Sequence, residues 1–229
     1  MSLEMVKKYK VGLWIDKNTA GPEDWVRVEK STSFDYALNP TTSQRDYITD
    51  QNPTTEVDGY TPALNQAVTM FKGNPDYELL FPVAYGFKTG DEVKRNVLVV
   101  FMQEPVKSFE YSAAAVETGE SISAGTYYER TGAGTAESPY VYTITRDETF
   151  QEEKTYYTRS ETVVGYLAHK SRATLSFTNI NAVDSTITFD INFGGRIQKG
   201  YAAPDPTTHK PVFIQNEDDG DNWIDPFAE

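Results

Sequence analysis

The stretch that decides the fold is residues 25–77, which contains the sequence Glu56-Val57-Asp58-Gly59-Tyr60-Thr61-Pro62. It begins with Trp25-Val26-Arg27-Val28-Glu29, whose alternation of apolar and polar residues continues raggedly to Tyr36 and is typical of one half-buried strand. Residues 38–55 are then almost entirely polar and are interrupted by prolines. We therefore expect a polar hairpin that projects into solvent or onto a partner.

A helix start follows this hairpin. The sequence Asn74-Pro75-Asp76-Tyr77-Glu78 has an N-cap residue, a proline at the first helical position and acids in the first turn. It predicts a helix of about two turns, perturbed or stopped at Pro82 and ended near Gly86. Residues 63–71, just before it, fit either a helix closed by Gly73 or one face of a strand.

Other parts of the chain predict further strands. Residues 9–15 indicate a first strand, and the apolar run Asn96-Val97-Leu98-Val99-Val100-Phe101-Met102 is typical of a central strand. Residues 172–180 and 186–193 alternate cleanly and predict an antiparallel pair. With 13% aromatic and 38% hydrophobic residues in 229, the chain is long enough for one large β domain or two small ones.

A tyrosine-rich segment, residues 111–161, differs in character from its surroundings. Gly125-Thr126-Tyr127-Tyr128-Glu129-Arg130 is echoed by Lys154-Thr155-Tyr156-Tyr157-Thr158-Arg159, and Tyr140-Val141-Tyr142-Thr143-Ile144-Thr145 lies between them. Three short strands separated by turns predict a small inserted subdomain that folds as a meander. Its tyrosines either bind a partner through exposed rings or form the insertion's own core.

Composition excludes several classes of function. The chain has no cysteine, which excludes a disulfide framework, a thiolate metal site and cysteine catalysis. No apolar run approaches the roughly 20 residues that cross a bilayer, and the N-terminus lacks the apolar region of a signal peptide. We expect a soluble protein that has no membrane partner.

The formal net charge of −13 is unevenly distributed. Residues 111–161 hold nine acids and four bases, and residues 204–229 hold seven acids and one base, so the remainder is nearly neutral. The sequence shows no basic cluster beyond Lys7-Lys8 and Lys10, whereas tight binders of duplex DNA neutralise phosphates with clustered lysine and arginine. We therefore expect that DNA near this protein is transient cargo that the protein does not bind tightly.

A search for catalytic and metal-binding patterns gives no positive signal. His169 and His209 have no ligand-like neighbours at helical or hairpin spacing. Asp218-Asp219-Gly220-Asp221-Asn222 lacks the spacing and closing glutamate of a calcium loop, and Gly132-Ala133-Gly134 reads as a turn. No serine lies in a nucleophile-elbow pattern. We expect a protein with no metal, no cofactor and no enzymatic activity.

The order and spacing of these elements resemble the major tail tube protein of long-tailed bacteriophages. The matching blocks cover about two-thirds of the chain. They are Trp25, Phe34, Asn39-Pro40, Tyr47-Ile48, Val57-Asp58-Gly59-Tyr60-Thr61-Pro62, Gly73-Asn74-Pro75, Tyr77, Leu79-Leu80, Arg172-Ala173-Thr174-Leu175-Ser176-Phe177-Thr178-Asn179-Ile180, Thr186-Ile187-Thr188-Phe189-Asp190-Ile191-Asn192-Phe193-Gly194-Gly195 and Gly200.

The resemblance implies a tail-tube-like β-sandwich or barrel of two packed antiparallel sheets with one short helix, plus the tyrosine-rich β insertion. It favours a strand over a helix for residues 63–71. The β domain would comprise residues 1–110 and 162–203, with the insertion at 111–161 and an extended acidic C-terminal arm at 204–229.

The resemblance also implies a function. The chain would be a structural subunit that assembles with copies of itself into six-membered rings, stacked into a tube that conducts double-stranded DNA as transient cargo without sequence-specific binding. It would act in the virion tail beside other tail proteins, after assembly in the host bacterial cytoplasm; related secretion-type tubes share the fold. In such proteins the polar loop stacks one ring on the next, which assigns ring contacts to Thr41, Thr42, Gln44, Arg45, Tyr47 and Asp50.

The C-terminal arm offers apolar residues within a proline-rich, acidic segment. Val212, Phe213, Ile214 and Trp223 are expected to contact a neighbouring subunit, or alternatively to fold back on their own domain.

A second class of function remains open. In that alternative the β domain is a scaffold for a module that binds host-surface carbohydrate. The stacking rings would be Tyr127, Tyr128, Tyr156 and Tyr157.

Overall fold

The structure is a computed structural model that describes residues 10–18, 20–45, 54–115, 117–123, 125–135 and 137–215. It is mainly β and sandwich-like, with a ten-stranded antiparallel sheet, a two-stranded sheet and a single α-helix, which confirms the fold class predicted from the sequence. The chain divides into two compact units. The first unit is Met1–Pro105 with Gly165–Glu229, and the second unit is Val106–Val164.

Among the described residues, ten strands and one α-helix contribute to the first unit. In chain order they are β1 (Val11–Asp16), β2 (Trp25–Arg27), β3 (Ser31–Ala37), β4 (Pro40–Arg45), β5 (Thr54–Tyr60), β6 (Ala63–Thr69), α1 (Pro75–Tyr85), β7 (Lys94–Ala113), β10 (Tyr156–Asn181), β11 (Thr186–Pro204) and β12 (Pro211–Gln215). A short 3₁₀ turn, Gly90–Val93, precedes β7. The strand predicted over residues 63–71 is confirmed as β6.

The large sheet closes on itself within the first unit. Its strand order is β2-β1-β7-β10-β11-β6-β3, so β2 and β3 stand at opposite ends of the sheet. Only residues 28–30 join them: Val28 N donates to Leu13 O (2.9 Å) beside β1, while Thr69 N donates to Lys30 O (3.0 Å) beside β6. The single strand expected from Trp25 to Tyr36 is therefore wrong, because the chain changes partners between these two hydrogen bonds.

The main core lies inside this curled sheet. Clean alternation on β11 directs Ile187, Phe189 and Ile191 inward, as predicted, where all three are buried. Helix α1 covers the same core with Leu80. The buried members of this core are Leu13, Ile15, Val28, Leu64, Val68, Leu79, Leu80, Ala84, Val97, Val99, Ala173, Leu175, Ile187, Phe189 and Ile191.

Strand β7 is buried on both faces over its apolar run, as the sequence predicts. Val97 and Val99 belong to the main core, whereas Leu98 and Val100 join a second cluster on the opposite face with Trp25. Because successive side chains of a strand point to opposite faces, a continuous apolar run is required only where both faces are covered.

Helix α1 is longer than predicted and continues through Pro82. The proline costs one backbone hydrogen bond, from its own position to the carbonyl of Glu78. Both residues are exposed, so water can reach that carbonyl. The helix ends where expected, with Gly86 N donating to Pro82 O (3.1 Å). The buried Asp76 carboxylate anchors its first turn by accepting hydrogen bonds from Glu29 N (3.2 Å) and Tyr77 N (2.8 Å).

The second unit contains β8 (Tyr127–Thr131), β9 (Val141–Ile144) and the adjoining parts of β7 and β10. The predicted meander is wrong, because β8 pairs with both β9 and β10 and so lies between them. After β9, residues 145–155 return across the sheet. Phe150 in this return is buried, with its ring 4.9 Å from Tyr127 and 4.8 Å from Tyr156. Burial of that ring favours the return over a simple meander.

Truncation of a core ring tests this description of the first unit. Phe189 is 0% exposed and packs 5.3 Å from Phe177. We expect Phe189→Ala to lower the free energy of unfolding by about 3–5 kcal/mol, because the lost ring leaves a cavity. Urea unfolding measures the change. Val183→Ala, at a side chain that is 93% exposed, is the control and should leave stability within about 0.5 kcal/mol; an equal loss in both variants would contradict the assigned core.

Acidification should weaken the fold through His169. Its ring is half-buried, 5.3 Å from Phe101, with Nδ1 3.3 Å from the Tyr36 hydroxyl, and burial, followed by the nearby Lys199, lowers its pKa. The unfolded chain then binds this proton first, so stability falls as pH drops through the ordinary histidine pKa of about 6.5. His169→Phe should flatten the stability profile between about pH 7 and pH 5 in chemical denaturation. An unchanged profile would contradict the assignment.

Candidate functional site

The most unusual feature of the first unit is a hairpin that leaves the sheet. Strands β3 and β6 pair up to Ala37 opposite Ala63, and the same two chain segments continue as β4 and β5, which form the two-stranded sheet. At the junction Asn39 takes a positive φ of 46°. Its amide donates to Thr61 O (3.2 Å), and the Thr61 hydroxyl donates to Asn39 O (3.2 Å). These two hydrogen bonds fix the point where the hairpin leaves the large sheet.

The projecting part, called the ribbon (Pro40–Arg45 with Thr54–Tyr60), contains the predicted ring-contact residues Thr41, Thr42, Gln44 and Arg45. Asp58 is an extra, bulged residue between the pairs Thr41–Gly59 and Thr42–Val57, and it accepts a hydrogen bond from the Ser43 hydroxyl (3.0 Å). Arg45 Nε lies 3.1 Å from Glu56 Oε2. Tyr47 and Asp50, also predicted as contacts, lie outside the described residues.

The ribbon exposes both of its faces. Val57 is 54% exposed and Tyr60 is 59% exposed, and Leu38 beside them is similarly open. Within the described part of the chain, β4 and β5 pair only with each other. A two-stranded ribbon without a covered face is marginally stable in water, and its outer edges leave backbone groups available for pairing. This geometry is suited to contact with another chain.

The predicted C-terminal arm is partly folded back. Strand β12 pairs with β11 from Gly200 to Pro204, and Phe213 packs against the second cluster beside Trp25. For residues 211–215 the structure thus shows the alternative in which the segment lies on its own domain. Val212 and Ile214 are exposed, and their contact with a neighbouring subunit stays a prediction. Trp223 lies outside the described residues.

An ion pair holds the segment before β12 in place. Lys210 pairs with Asp24, and its hydrogen bond lowers the pKa of that carboxyl. The tie is exposed and contributes little stability on its own. It fixes the direction from which the chain enters β12.

The tyrosines proposed as a binding surface are mostly interior. Tyr128, Tyr156 and Tyr157 are buried, and the half-buried Tyr127 packs edge-on against Phe150. Of the two alternatives left open by the sequence, the structure shows the insertion's own core for the three buried residues, and surface binding through these rings is wrong. A small subdomain has few apolar side chains to bury, so its tyrosines supply the core.

Two arginines complete one face of the second unit. Arg130 lies 4.2 Å from the centre of the Tyr140 ring and 4.9 Å from that of Tyr157, while Arg159 covers Tyr128 at 5.1 Å. Cation–π contacts of this kind hold the charged groups flat on the rings. The aromatic faces are thereby occupied from within the unit.

Sequence reasoning missed an aromatic stripe on α1. Tyr77, Phe81 and Tyr85 stack in succession at 5.0 Å and 5.5 Å, and Tyr85 is exposed. Beyond the helix Phe87 is largely exposed and has a positive φ of 48°. The sequence could have predicted this stripe, because the three rings are spaced four residues apart and residues at that spacing are neighbours on one helix face.

The structure also corrects the expectation that no basic cluster exists beyond residues 7–10. Lys94, Lys170, Arg172 and Arg196 line a groove of about 630 Å³ on the outer face of β7, β10 and β11. We call it the basic groove. Lys170 and Arg172 are two residues apart on β10, and the strand order brings Lys94 and Arg196 to them. In the linear sequence only the pair on β10 is close together.

The described ranges contain no group of three or more histidine, cysteine, aspartate or glutamate residues arranged to hold a metal ion. They contain no helix long and apolar enough to cross a bilayer. No protein-family model matches the chain, and no curated protein matches it.

Removal of one buried hydroxyl tests the assignment of tyrosines to the interior of the second unit. The Tyr156 hydroxyl donates to Asp147 Oδ2 (2.8 Å) and accepts from Gln151 N (3.1 Å). Tyr156→Phe should lower the free energy of unfolding by about 1 kcal/mol, because Gln151 N loses this acceptor and Asp147 Oδ2 loses one donor while keeping Lys154. Tyr140→Phe, at an exposed ring, is the control. Equal, negligible effects in thermal unfolding would contradict the assignment.

Proposed function

We propose that this protein is a structural subunit of a phage or prophage tail tube, assembling with copies of itself into six-membered rings that stack and conduct DNA. The exposed ribbon is the observation that carries the proposal. Folding projects it from the sheet with both faces open and with apolar Val57 and Tyr60 on its surface. Such a feature gains stability only when another surface covers it.

Pairing with a neighbouring subunit supplies that cover. A strand or loop of the next ring can add to the outer edge of β4 or β5 through main-chain hydrogen bonds, while Val57 and Tyr60 bury apolar area. The polar side chains Thr41, Thr42, Gln44 and Arg45 then form the rim of the contact, where they give register more than affinity. An apolar centre that gives affinity and a polar rim that gives register suit a ring-stacking contact, because stacking repeats the same geometry at every ring.

The net charge of the chain is compatible with a conduit for DNA. The net charge is −13, and a channel that repels its cargo lets it pass without being held. In this proposal double-stranded DNA is transient cargo, the remaining partners are other tail proteins, and the subunit acts in the virion tail after assembly in the bacterial cytoplasm.

A pair of charge substitutions on the ribbon tests the proposal. Val57→Lys with Tyr60→Lys should prevent rings and tubes in electron micrographs of concentrated protein, or raise the concentration they require at least tenfold, because each lysine must be desolvated at the contact. The unfolding temperature should change little, since both side chains face solvent. Deletion of residues 41–51 should have the same effect on stacking.

The matched control is Val141→Lys with Ile144→Lys in the second unit, where the side chains are 52% and 54% exposed. This variant adds the same charge at equal exposure and should assemble normally. Tubes that form equally well from the ribbon variant, or a wild-type chain that stays monomeric at every concentration, would overturn the proposed function.

A further inference from the structure

The outer edge of β9, in the second unit, is open. Thr145 N donates to Tyr127 O (3.0 Å), and hydrogen-bonded pairs recur at every second residue of an antiparallel ladder. Residues 141, 143 and 145 therefore bond β8, whereas the backbone N–H and C=O groups of Tyr142 and Ile144 point away from it. Within the described part of the chain β9 pairs with β8 alone. These outward groups are therefore available to a further strand.

This edge lacks the features that commonly protect an exposed strand. The sequence of β9, Val141-Tyr142-Thr143-Ile144, contains no charge and no proline, and its register with β8 has no bulge. Natural edge strands often carry one of these, as Arg27 on β2 and Pro211 on β12 do. The side chains of Val141 and Ile144 are exposed. An extended partner that covers them gains apolar burial together with main-chain hydrogen bonds.

A cation without a carboxylate partner lies behind this edge. Arg130 of β8 is directly opposite Tyr142, so the two side chains share one face of the sheet. The exposed guanidinium is held between the rings of Tyr140 (4.2 Å) and Tyr157 (4.9 Å). Among the described residues, no carboxylate lies within ion-pair distance of it. Because two rings already hold the group, little side-chain entropy is lost when it binds a carboxylate.

A second such cation follows β9. Arg146 lies two residues beyond Ile144, is exposed, and has no ion pair with any described carboxylate. The exposed acids nearest in sequence, Glu137 and Glu148, pair with neither arginine. The other cations described in the second unit are all paired: Lys154 with Asp147, and Lys107 and Arg159 with Glu161. The open edge is thus accompanied by two cations that an acidic ligand can pair.

We propose that β9 binds an extended, acidic peptide segment of another protein, which adds to the sheet as an antiparallel strand. The main chain of the peptide pairs with Tyr142 and Ile144. A residue placed opposite Tyr142 shares the face of Arg130, so acidic side chains at alternate positions of the peptide lie on the cationic side. This inference goes beyond the proposed function and does not depend on it.

Charge favours another protein over a second copy as the occupant. Antiparallel pairing of two β9 edges, with Tyr142 opposite Ile144, would bring Arg146 of one copy opposite Tyr140 of the other and so beside Arg130. Like charges that meet across paired strands are destabilising. An acidic peptide meets the same cations with the opposite charge.

A synthetic peptide tests the site on the full chain. The probe is a seven-residue peptide that alternates glutamate with valine, used at low salt. It should slow hydrogen exchange of the Tyr142 and Ile144 amides at least tenfold, because both gain a strand partner. Fluorescence anisotropy of the labelled peptide gives its Kd. Lysine in place of glutamate should abolish binding.

Two methylated peptides test the direction of pairing. When the glutamates lie on the face of Arg130, their own N–H groups meet the outward groups of Tyr142 and Ile144, whereas the N–H groups of the valines face solvent. N-methylation of the glutamates should therefore weaken binding at least tenfold, and N-methylation of the valines should change it little. Equal binding of the two methylated peptides would overturn the proposal.

Variants of the protein test both contributions. Arg130→Gln should weaken binding of the acidic peptide at least fivefold. Arg27→Gln is the matched control, because this exposed arginine also rests on a ring, that of Trp14 at 5.4 Å, and it should bind normally. Ile144→Pro removes an outward N–H without removing a hydrogen bond to β8, so it should weaken binding well beyond Ile144→Ala. Should Ile144→Pro fail to fold, the methylated peptides decide with wild-type protein.

Three further results would overturn the proposal. The first is an acidic peptide that leaves both amides unchanged at about 1 mM. The second is an Arg27→Gln variant that loses as much affinity as Arg130→Gln. The third is slowing of the same amides with protein concentration alone, which would make a second copy the occupant.

Discussion

The pairing of β11 with its neighbours is the interaction on which the first unit depends. One edge of β11 pairs with β10, and the other pairs first with β6 and then with β12. Its inward side chains, Ile187, Phe189 and Ile191, supply the centre of the main core. Because β6 is held in this way, the hairpin of which it forms one half is anchored at its base, and the ribbon beyond Asn39 and Thr61 projects from a fixed position. The basic groove lies where β11 bulges, between the part of β11 that pairs with β6 and the part that pairs with β12.

Regular hydrophobic patterns predicted much of this architecture. The alternation of 186–193 and the apolar run of 96–102 identified β11 and β7 with the correct buried faces. Each pattern is compatible with only one arrangement, burial of one face for β11 and of both faces for β7. Patterns failed where tertiary contacts decide between local alternatives. The break between β2 and β3 follows from closure of the sheet, and α1 tolerates Pro82 because that side of the helix faces water.

Sequence patterns also predicted only part of the candidate site, because the rest depends on tertiary contacts. Polarity and prolines predicted a projecting hairpin at residues 38–55, but not its exposed Val57 and Tyr60. The basic groove was not predicted, because Lys94 and Arg196 reach Lys170 and Arg172 only through the strand order. In the second unit the repeated tyrosines indicated strands, yet neither their burial nor the central place of β8 followed from the repeat. Phe150 packs between Tyr127 and Tyr156, whereas Tyr128 packs against Tyr111 and Tyr157 against Tyr142.

The backbone amides of the ribbon report directly on self-association. Hydrogen–deuterium exchange of β4 and β5 should be measured over a range of protein concentrations. The exchange rate shows whether the open edges of these strands become paired as the concentration rises. Fast exchange in dilute solution that slows at least tenfold at high concentration, while exchange in β8 and β9 stays constant, is the predicted result. Slow exchange in β11 serves as the control that the protein is folded. If β11 exchanges slowly but exchange in the ribbon does not depend on protein concentration, a function through self-assembly is contradicted.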